Sequence, residues 1–327
     1  MSRFIHPTIA SRPVAVGILT LGVALGACQD ESALPLAPAP RAFAAKGGNK
    51  PGSAESVIFA GRNGTRYHIY SMNPDGSNVR QLTTDSTSDD FPDFAPDNRK
   101  FVFIRYLSAS QSELFTANAD GTKQAQLTTM GTYVMQPRYS PDGSKIAFVA
   151  YSSDNGRFDI YTINADGSGL KRLTYEDSQD QSPAWSPDGQ QIAFDSDRGS
   201  PGLPFVYLMN ADGLNVRLLP GNNAGSISQP AWSPDGTRIA VAGPGGALFV
   251  SRLETQTMAP IGPLFTNGES EHPTWSKDSK LVLFSSSRGI EGTYEIYSSP
   301  PGSIDPTLVR RLTVFSPNEA VRPSYSH

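Results

Sequence analysis

Groups able to do chemistry are few in this chain, and their spacing is unusual. Among 327 residues there are four histidines and one cysteine, Cys28. One thiol cannot close an intrachain disulfide or build a thiolate zinc or iron–sulfur site. Carboxylates are plentiful, but many stand in Asp-Gly or similar tight segments, at Asp75, Asp120, Asp166, Asp188 and Asp212. A calcium loop needs Asp-x-Asp-x-Asp-Gly followed by a glutamate. Asn73-Pro-Asp-Gly-Ser-Asn78 lacks that spacing and reads as a turn, with the glycine in a left-handed conformation. The sequence contains no Gly-x-Ser-x-Gly nucleophile elbow and no Gly-x-x-x-x-Gly-Lys phosphate loop. His272 lies near Glu269 and Glu271, a set that could hold a metal. No second histidine accompanies it, so it reads as a solvated side chain. No catalytic residue, metal site or cofactor is expected.

The elements that would position these groups come from a repeat. A Pro-x-aromatic landmark occurs at Pro92/Phe94, Pro137/Tyr139, Pro183/Trp185, Pro230/Trp232, Pro273/Trp275 and Pro323/Tyr325. Successive prolines are 43 to 50 residues apart. Seven residues after the aromatic begins an apolar triplet, Phe101-Val-Phe103, Ile146-Ala-Phe148, Ile192-Ala-Phe194, Ile239-Ala-Val241 or Val282-Leu-Phe284. An aliphatic–aromatic pair follows, at Ile69-Tyr70, Leu114-Phe115, Ile160-Tyr161, Val206-Tyr207, Leu248-Phe249 and Ile296-Tyr297. Each unit then carries an Asp-Gly turn or its relic, and Leu-Thr or its relic. Four short apolar runs at this period mark a four-stranded propeller blade. Triplets apolar on both faces suit strands buried between neighbouring blades. The last landmark, Pro323-Ser-Tyr325, has no triplet after it, and the first triplet, Val57-Ile-Phe59, has no landmark before it. The two halves complete one blade. The expected fold is an all-β six-bladed β-propeller of four-stranded blades. It is closed by pairing the C-terminal strand with the N-terminal blade, which removes an open edge.

Ahead of the repeat, Arg3, His6 and Arg12 precede an apolar run from Val14 to Ala27. A basic flank and a short apolar run form a secretory signal, and this run is short of the roughly 20 residues that span a bilayer. It ends Leu25-Gly-Ala-Cys28. That segment resembles the bacterial lipobox, whose cysteine becomes the lipidated mature N-terminus. The domains expected are therefore a signal peptide at 1–27, a flexible Pro/Ala/Gly tether at 28–55 and the propeller at 56–327. Gln29, rather than an aspartate, follows the cysteine. The resemblance then implies the periplasmic side of the envelope, with the outer membrane favoured over the inner. The formal net charge of −4 lacks the basic footprint of a nucleic-acid binder.

Pro-x-Trp-Ser-Pro-Asp-Gly-x-x-Ile-Ala-Phe, followed by Ile-Tyr-x-x-Asn-x-Asp-Gly and Leu-Thr, resembles the TolB-like, WD40-like (PD40) propeller repeat. The resemblance covers 56–327. It implies a non-enzymatic protein-binding or scaffold module in the setting of a Tol–Pal-like assembly, and the lipobox resemblance adds lipid anchoring in the cell envelope. The partner would be a protein or an envelope polymer, and the chain a monomer. The alternative is a propeller enzyme, a lyase or hydrolase acting on a polysaccharide or peptide at the channel mouth. The lyases of related fold use several histidines around a metal, which this sequence lacks.

Position alone marks the candidate binding groups. In such a propeller the loops from outer to next inner strand ring one mouth of the channel. Each is expected to end at the residue before the landmark proline: Phe91, Gln136, Ser182, Gln229, His272 and Arg322. The hairpins between second and third strands share that face and carry Arg62, Arg105, Arg198 and Arg288. These guanidiniums either grip ligand carboxylates or pair with neighbours such as Asp89, Asp90, Asp197 and Glu291.

If Cys28 carries the anchor, Cys28→Ser should release the protein from membranes, because stable attachment depends on more than one acyl chain. The check is fractionation of salt-washed membranes. Serine variant that stays in the pellet overturns the lipoprotein assignment.

Overall fold

The computed structural model describes residues 55–221, 225–261, 269–287, 293–302, 305–314 and 319–325. They form six antiparallel sheets of four strands each. Five sheets are continuous in sequence, with inner strands Asp89–Phe94, Val134–Tyr139, Asp180–Trp185, Ser228–Trp232 and Ser270–Trp275. The remaining blade takes its inner strand from Ala320–Tyr325, which pairs with Val57–Asn63. The expected clasp is therefore present. We number this blade one and the others in chain order. The leader and tether, Cys28 among them, lie outside the described residues, apart from Glu55. No helix among the described residues is long and apolar enough to cross a membrane.

The landmarks fall on one transverse line across each blade. In the inner strand of blade four, Gln181 pairs with Asp195 and Ala184 with Ala193. Ser182 and Pro183 therefore oppose the single residue Phe194, which is a β-bulge. The same slip places Phe59, Phe103, Phe148, Val241 and Phe284 opposite the other five bulges. The last residue of the apolar triplet is thus the one facing the bulge. On its other side it pairs with the aromatic of the third strand, as Phe194 does with Tyr207 and Phe148 with Tyr161. In five blades the two rings are in contact, with centroids 5.7 to 6.1 Å apart. Phe59, Phe103, Phe148, Phe194 and Phe284 are among the largest fully buried side chains.

Leu-Thr has a backbone role. The leucine N–H donates to the carbonyl of the third-strand aliphatic, as Leu173 does to Ile160 at 2.8 Å. The threonine Oγ1 accepts the N–H of that same aliphatic, from Ile69, Leu114, Ile160 and Ile296 at 2.9 to 3.0 Å. A two-residue outer strand is held this way despite its length.

Neighbouring blades are joined at defined points. The Trp185 and Trp275 indoles donate to the carbonyls of Arg138 and Ala231 in the preceding blades, at 3.1 and 2.9 Å. The Asp-Gly glycines lie against the Leu-Thr carbonyl of the blade before. A Cβ on Gly121, whose φ is +86°, would stand 2.2 Å from the Leu82 oxygen. Gly131 has φ +70° and nothing within 4 Å of a Cβ. Gly121→Ala should therefore cost roughly 3 kcal/mol, from strain plus a backbone clash, and Gly131→Ala about 1 kcal/mol from strain alone. Urea titration of the two variants separates these effects, and equal losses would refute the inter-blade contact.

Candidate functional site

The bulges build the site. Phe91, Gln136, Ser182, Gln229, His272 and Arg322 all have φ between 49° and 55°. Six non-glycine residues thus hold a left-handed backbone at equivalent places in six blades. Such a conformation costs roughly 1–2 kcal/mol each and persists only where the surroundings enforce it. Sequence reasoning put these residues at the ends of loops. The structure corrects this: they lie within the inner strands, at the bulge, where the ladder holds them.

A bulge unpairs backbone groups, and these must find other partners. Gln136 Oε1 accepts the Ser182 N–H at 2.8 Å, and its Nε2 donates to Ser182 Oγ at 3.1 Å. Gln229 Oε1 accepts the His272 N–H at 2.7 Å. The Gln229 N–H donates to Asp195 at 3.0 Å, and the Phe91 N–H to Asp90 at 2.8 Å. Each glutamine of the ring therefore secures the next blade. Asp195 carries its carboxyl above the usual range because burial opposes its charge.

The ring closes the channel to a neck. Phe91, Gln136, Arg138, Ser182, Gln229 and His272 line a cavity of about 20 Å³, room for one water. His272 Nδ1 lies 3.3 Å from Ser285 Oγ. That hydroxyl spends its proton on the Glu271 carbonyl at 3.0 Å, so the imidazole donates from Nδ1. Burial, with Arg322 and Arg138 adding their charge, holds the His272 pKa well below 6.5.

Arg322 occupies the blade-one position of the ring. Its guanidinium stacks 4.3 Å from the Phe91 centroid and pairs with buried Asp90 at 2.9 Å. Tyr67, Tyr106 and Tyr133 gather about this pair. Their ionisation is opposed first by burial, with Asp90 raising and Arg322 lowering all three. The Tyr67 hydroxyl donates to Glu319, and Tyr294 to Glu269 at 3.0 Å. Glu271, just before His272, has its carboxyl raised by burial, lowered by Arg322 and raised by Glu269. Sequence reasoning named Asp90 only as a neighbour for the hairpin arginines, and missed these tyrosines. The signal available was that Asp90 and Glu271 each directly precede a ring residue.

Of the four hairpin arginines, Arg105 and Arg198 are engaged within their own blades. Arg105 binds both oxygens of buried Asp89, at 2.7 and 2.9 Å, and also pairs with Asp85. Arg198 pairs with Asp180 at 3.0 Å, not with Asp197, and lies over Phe194 and Tyr207. Arg62 is half-exposed, 3.5 Å from Glu319. Arg288 lies outside the described residues. On the opposite face, Asp142, Asp188, Asp235 and Asp278 each accept from a serine hydroxyl two residues before, at 2.6 to 2.7 Å. These carboxylates serve their own turns. Among the described residues no group of three or more His, Cys, Asp or Glu is placed to hold a metal.

The model of the TolB beta propeller domain (PD40) matches residues 60–299. This chain belongs to the TolB-type PD40 propeller family. No curated protein sequence matches it significantly. Among solved structures, TolB from Acinetobacter baumannii superimposes with a TM-score of 0.70 at 19% identity, covering 85% of this chain and 67% of that one. Putative TolB from Agrobacterium tumefaciens gives 0.63 at 19%, over 84% and 100% of the two chains. An oligogalacturonate lyase from Vibrio parahaemolyticus gives 0.51 at 16%, over 71% and 72%. At these identities the superpositions speak to the fold.

Two buried histidines set an acid-side stability loss. The pKa values of His68 and His272 are both depressed, by burial first. The unfolded chain binds protons below 6.5 that the folded chain refuses, so stability falls as pH drops through that value. The raised carboxyls of Asp89, Asp195 and Glu271 act oppositely. Comparing His272→Gln with wild type isolates the imidazole. The variant should lose less melting temperature between pH 7 and pH 5. Parallel curves would show that His272 takes up its proton as readily in the fold as in the unfolded chain, against the effect of burial.

Proposed function

We propose that this PD40 protein is a lipid-anchored, non-enzymatic binding or scaffold module of the cell envelope, held through Cys28 on the periplasmic side. It engages a protein or envelope polymer at the channel mouth, as part of an assembly of the Tol–Pal kind. Family membership and the likeness to two TolB structures support the envelope setting. The carrying observation is the mouth itself. A strained, hydrogen-bonded ring fixes Arg322, Asp90, Glu271 and a set of tyrosines on a rigid scaffold, above a neck with room for one water. Binding groups set on loops and edges of a rigid frame are the usual arrangement for recognition.

Arg322→Ala would strand the Asp90 carboxylate in the interior and confound folding with binding. The test therefore uses half-exposed groups. Arg62→Ala combined with Glu271→Gln should reduce capture of envelope partners by the tagged, lipidated protein at least fivefold, with the melting temperature little changed. Co-purification of a peptidoglycan-associated lipoprotein with the wild type would support the assembly. Asp166→Ala, in an opposite turn, should leave capture intact. Loss on Asp166→Ala with full capture by the mouth variant would put the partner on the other face.

A further inference from the structure

A line of aromatic rings crosses the mouth from the channel to the rim. Tyr106 meets Tyr133 with centroids 5.9 Å apart, Tyr133 meets Phe158 at 6.3 Å, and Phe158 meets Tyr151 at 5.6 Å. The first three are half-buried, and Tyr151 is 42% exposed. They belong to adjacent blades two and three. The inner end of the line meets the Asp90–Arg322 pair, whose charges act on both Tyr106 and Tyr133. Around it stand the carboxyl of Glu271 and the phenol of Tyr67. The landmarks of the repeat explain none of the four rings. Tyr106, Tyr133, Tyr151 and Phe158 lie outside the Pro-x-aromatic, triplet and Ile-Tyr positions; Tyr106 and Phe158 also pack against buried clusters, and Tyr133 and Tyr151 extend the line beyond them.

Successive rings meet at interplanar angles of 55° to 72°, so the line offers apolar edges and faces by turns, with many hydrogen-bonding groups at one end. A sugar ring matches it, since its C–H face is apolar and its rim carries hydroxyls that both donate and accept. Carboxylates and guanidiniums can take pairs of adjacent hydroxyls, and phenols and amides suit single ones. Charge selects among sugars. Among the described residues Asp85, Asp89, Asp90, Asp93, Glu269, Glu271 and Glu319 stand at this mouth against Arg62, Arg105, Arg138 and Arg322. A uronate chain would meet net repulsion there, and a neutral one would not.

We propose that the Tyr106–Tyr133–Phe158–Tyr151 line, with the Asp90–Arg322 pair at its inner end, binds a neutral oligosaccharide. The inference rests on the mouth being the binding face. It goes further in naming a glycan and in placing it over blades two and three.

Titration of the full propeller with chitohexaose and cellohexaose, followed by calorimetry and by aromatic proton shifts, tests it. At least one should bind, with oligogalacturonate of equal length at least tenfold weaker. Tyr133→Ala and Tyr151→Ala should each weaken binding at least fivefold. Tyr175→Ala, on the rim at 66% exposure beside Arg172, should leave it unchanged. Because Tyr133 is half-buried, Tyr133→Phe serves as a second variant that keeps the ring and should retain most affinity. Failure of both neutral sugars to bind at millimolar concentration overturns the proposal, as does tighter binding of the uronate, or indifference to both tyrosine variants. If neutral sugars fail while Arg62→Ala with Glu271→Gln still loses envelope partners, the glycan assignment falls and the mouth stands. If both experiments fail, the face is wrong.

Discussion

Everything in this propeller follows from one constraint, the bulge that each inner strand carries just before its landmark proline. Proline has no N–H to give the ladder and tolerates only special positions within a sheet. A bulge is such a position. Once two inner-strand residues oppose one, the facing residue must fill the extra space, and phenylalanine does so in five blades of six. The phenylalanine then needs a flat partner on the third strand, which is the aromatic of the Ile-Tyr pair. Beyond that ring the outer strand supplies a glutamine or arginine that turns back onto the threonine carbonyl. Gln81, Gln126, Arg172 and Arg311 do this at 2.7 to 2.8 Å. One strained backbone position thus dictates the residue types across about four strands.

The same chain of dependence explains where the repeat breaks. Blade four has Leu218 where blades one, two, three and six have glutamine or arginine, and Pro220 where they have threonine. Blade five has Glu254-Thr255 where an Asp-Gly turn is expected. These departures sit on the two sides of one interface. The usual contact sets an Asp-Gly glycine against the preceding blade's leucine carbonyl, as with Gly76 and Leu312 or Gly213 and Leu173. Between blades four and five the roles are exchanged. Gly221 belongs to the earlier blade, and the carbonyl it approaches belongs to Gln256 of the later one. Gln256 takes the positive φ, 51°, that the missing glycine would have held. A close backbone approach is kept while the residues that provide it are swapped.

Much of this was legible in the sequence because each landmark answers a backbone need that a single residue type can meet. Six prolines at even spacing, triplets apolar on both faces, and an orphan strand at each end determine blade number and closure without reference to side-chain detail. The site was legible only in position. That Phe91, Gln136, Ser182, Gln229, His272 and Arg322 share a ring follows from the period. That they lie in strands rather than loop ends does not, since a bulge leaves no mark except its proline. The partners of the hairpin arginines were readable in kind but not always in identity. Arg105 takes Asp89, 16 residues before it at the start of the adjacent inner strand, and Arg198 passes over neighbouring Asp197 for Asp180, which holds the same place 18 residues before it. Asp90 and the mouth tyrosines had no period to betray them.

That contrast separates what the frame needs from what the mouth can vary. On the face of the Ser-Pro-Asp-Gly turns, carboxylate, hydroxyl and left-handed glycine are all consumed by the turn. Asp142, Asp188 and Asp278 have pKa values lowered by the hydroxyls and N–H groups they accept from. A ligand there would compete with bonds that hold the blade. At the other face the backbone demands of the bulge are met mostly within the ring, by Gln136, Gln229, Asp195 and Asp90. The hairpins beyond the ring are then relieved of the bulge's backbone demands, and their lengths and charges differ from blade to blade. Glu271 illustrates the result. It abuts His272, whose backbone is fixed by Gln229, yet its own carboxylate is half-exposed, and among the described residues it is bonded to no donor closer than the imidazole at 3.6 Å. The strain at the ring therefore has a structural return: it concentrates the fold's requirements on the neck and leaves the groups just above it free to be chosen for a partner.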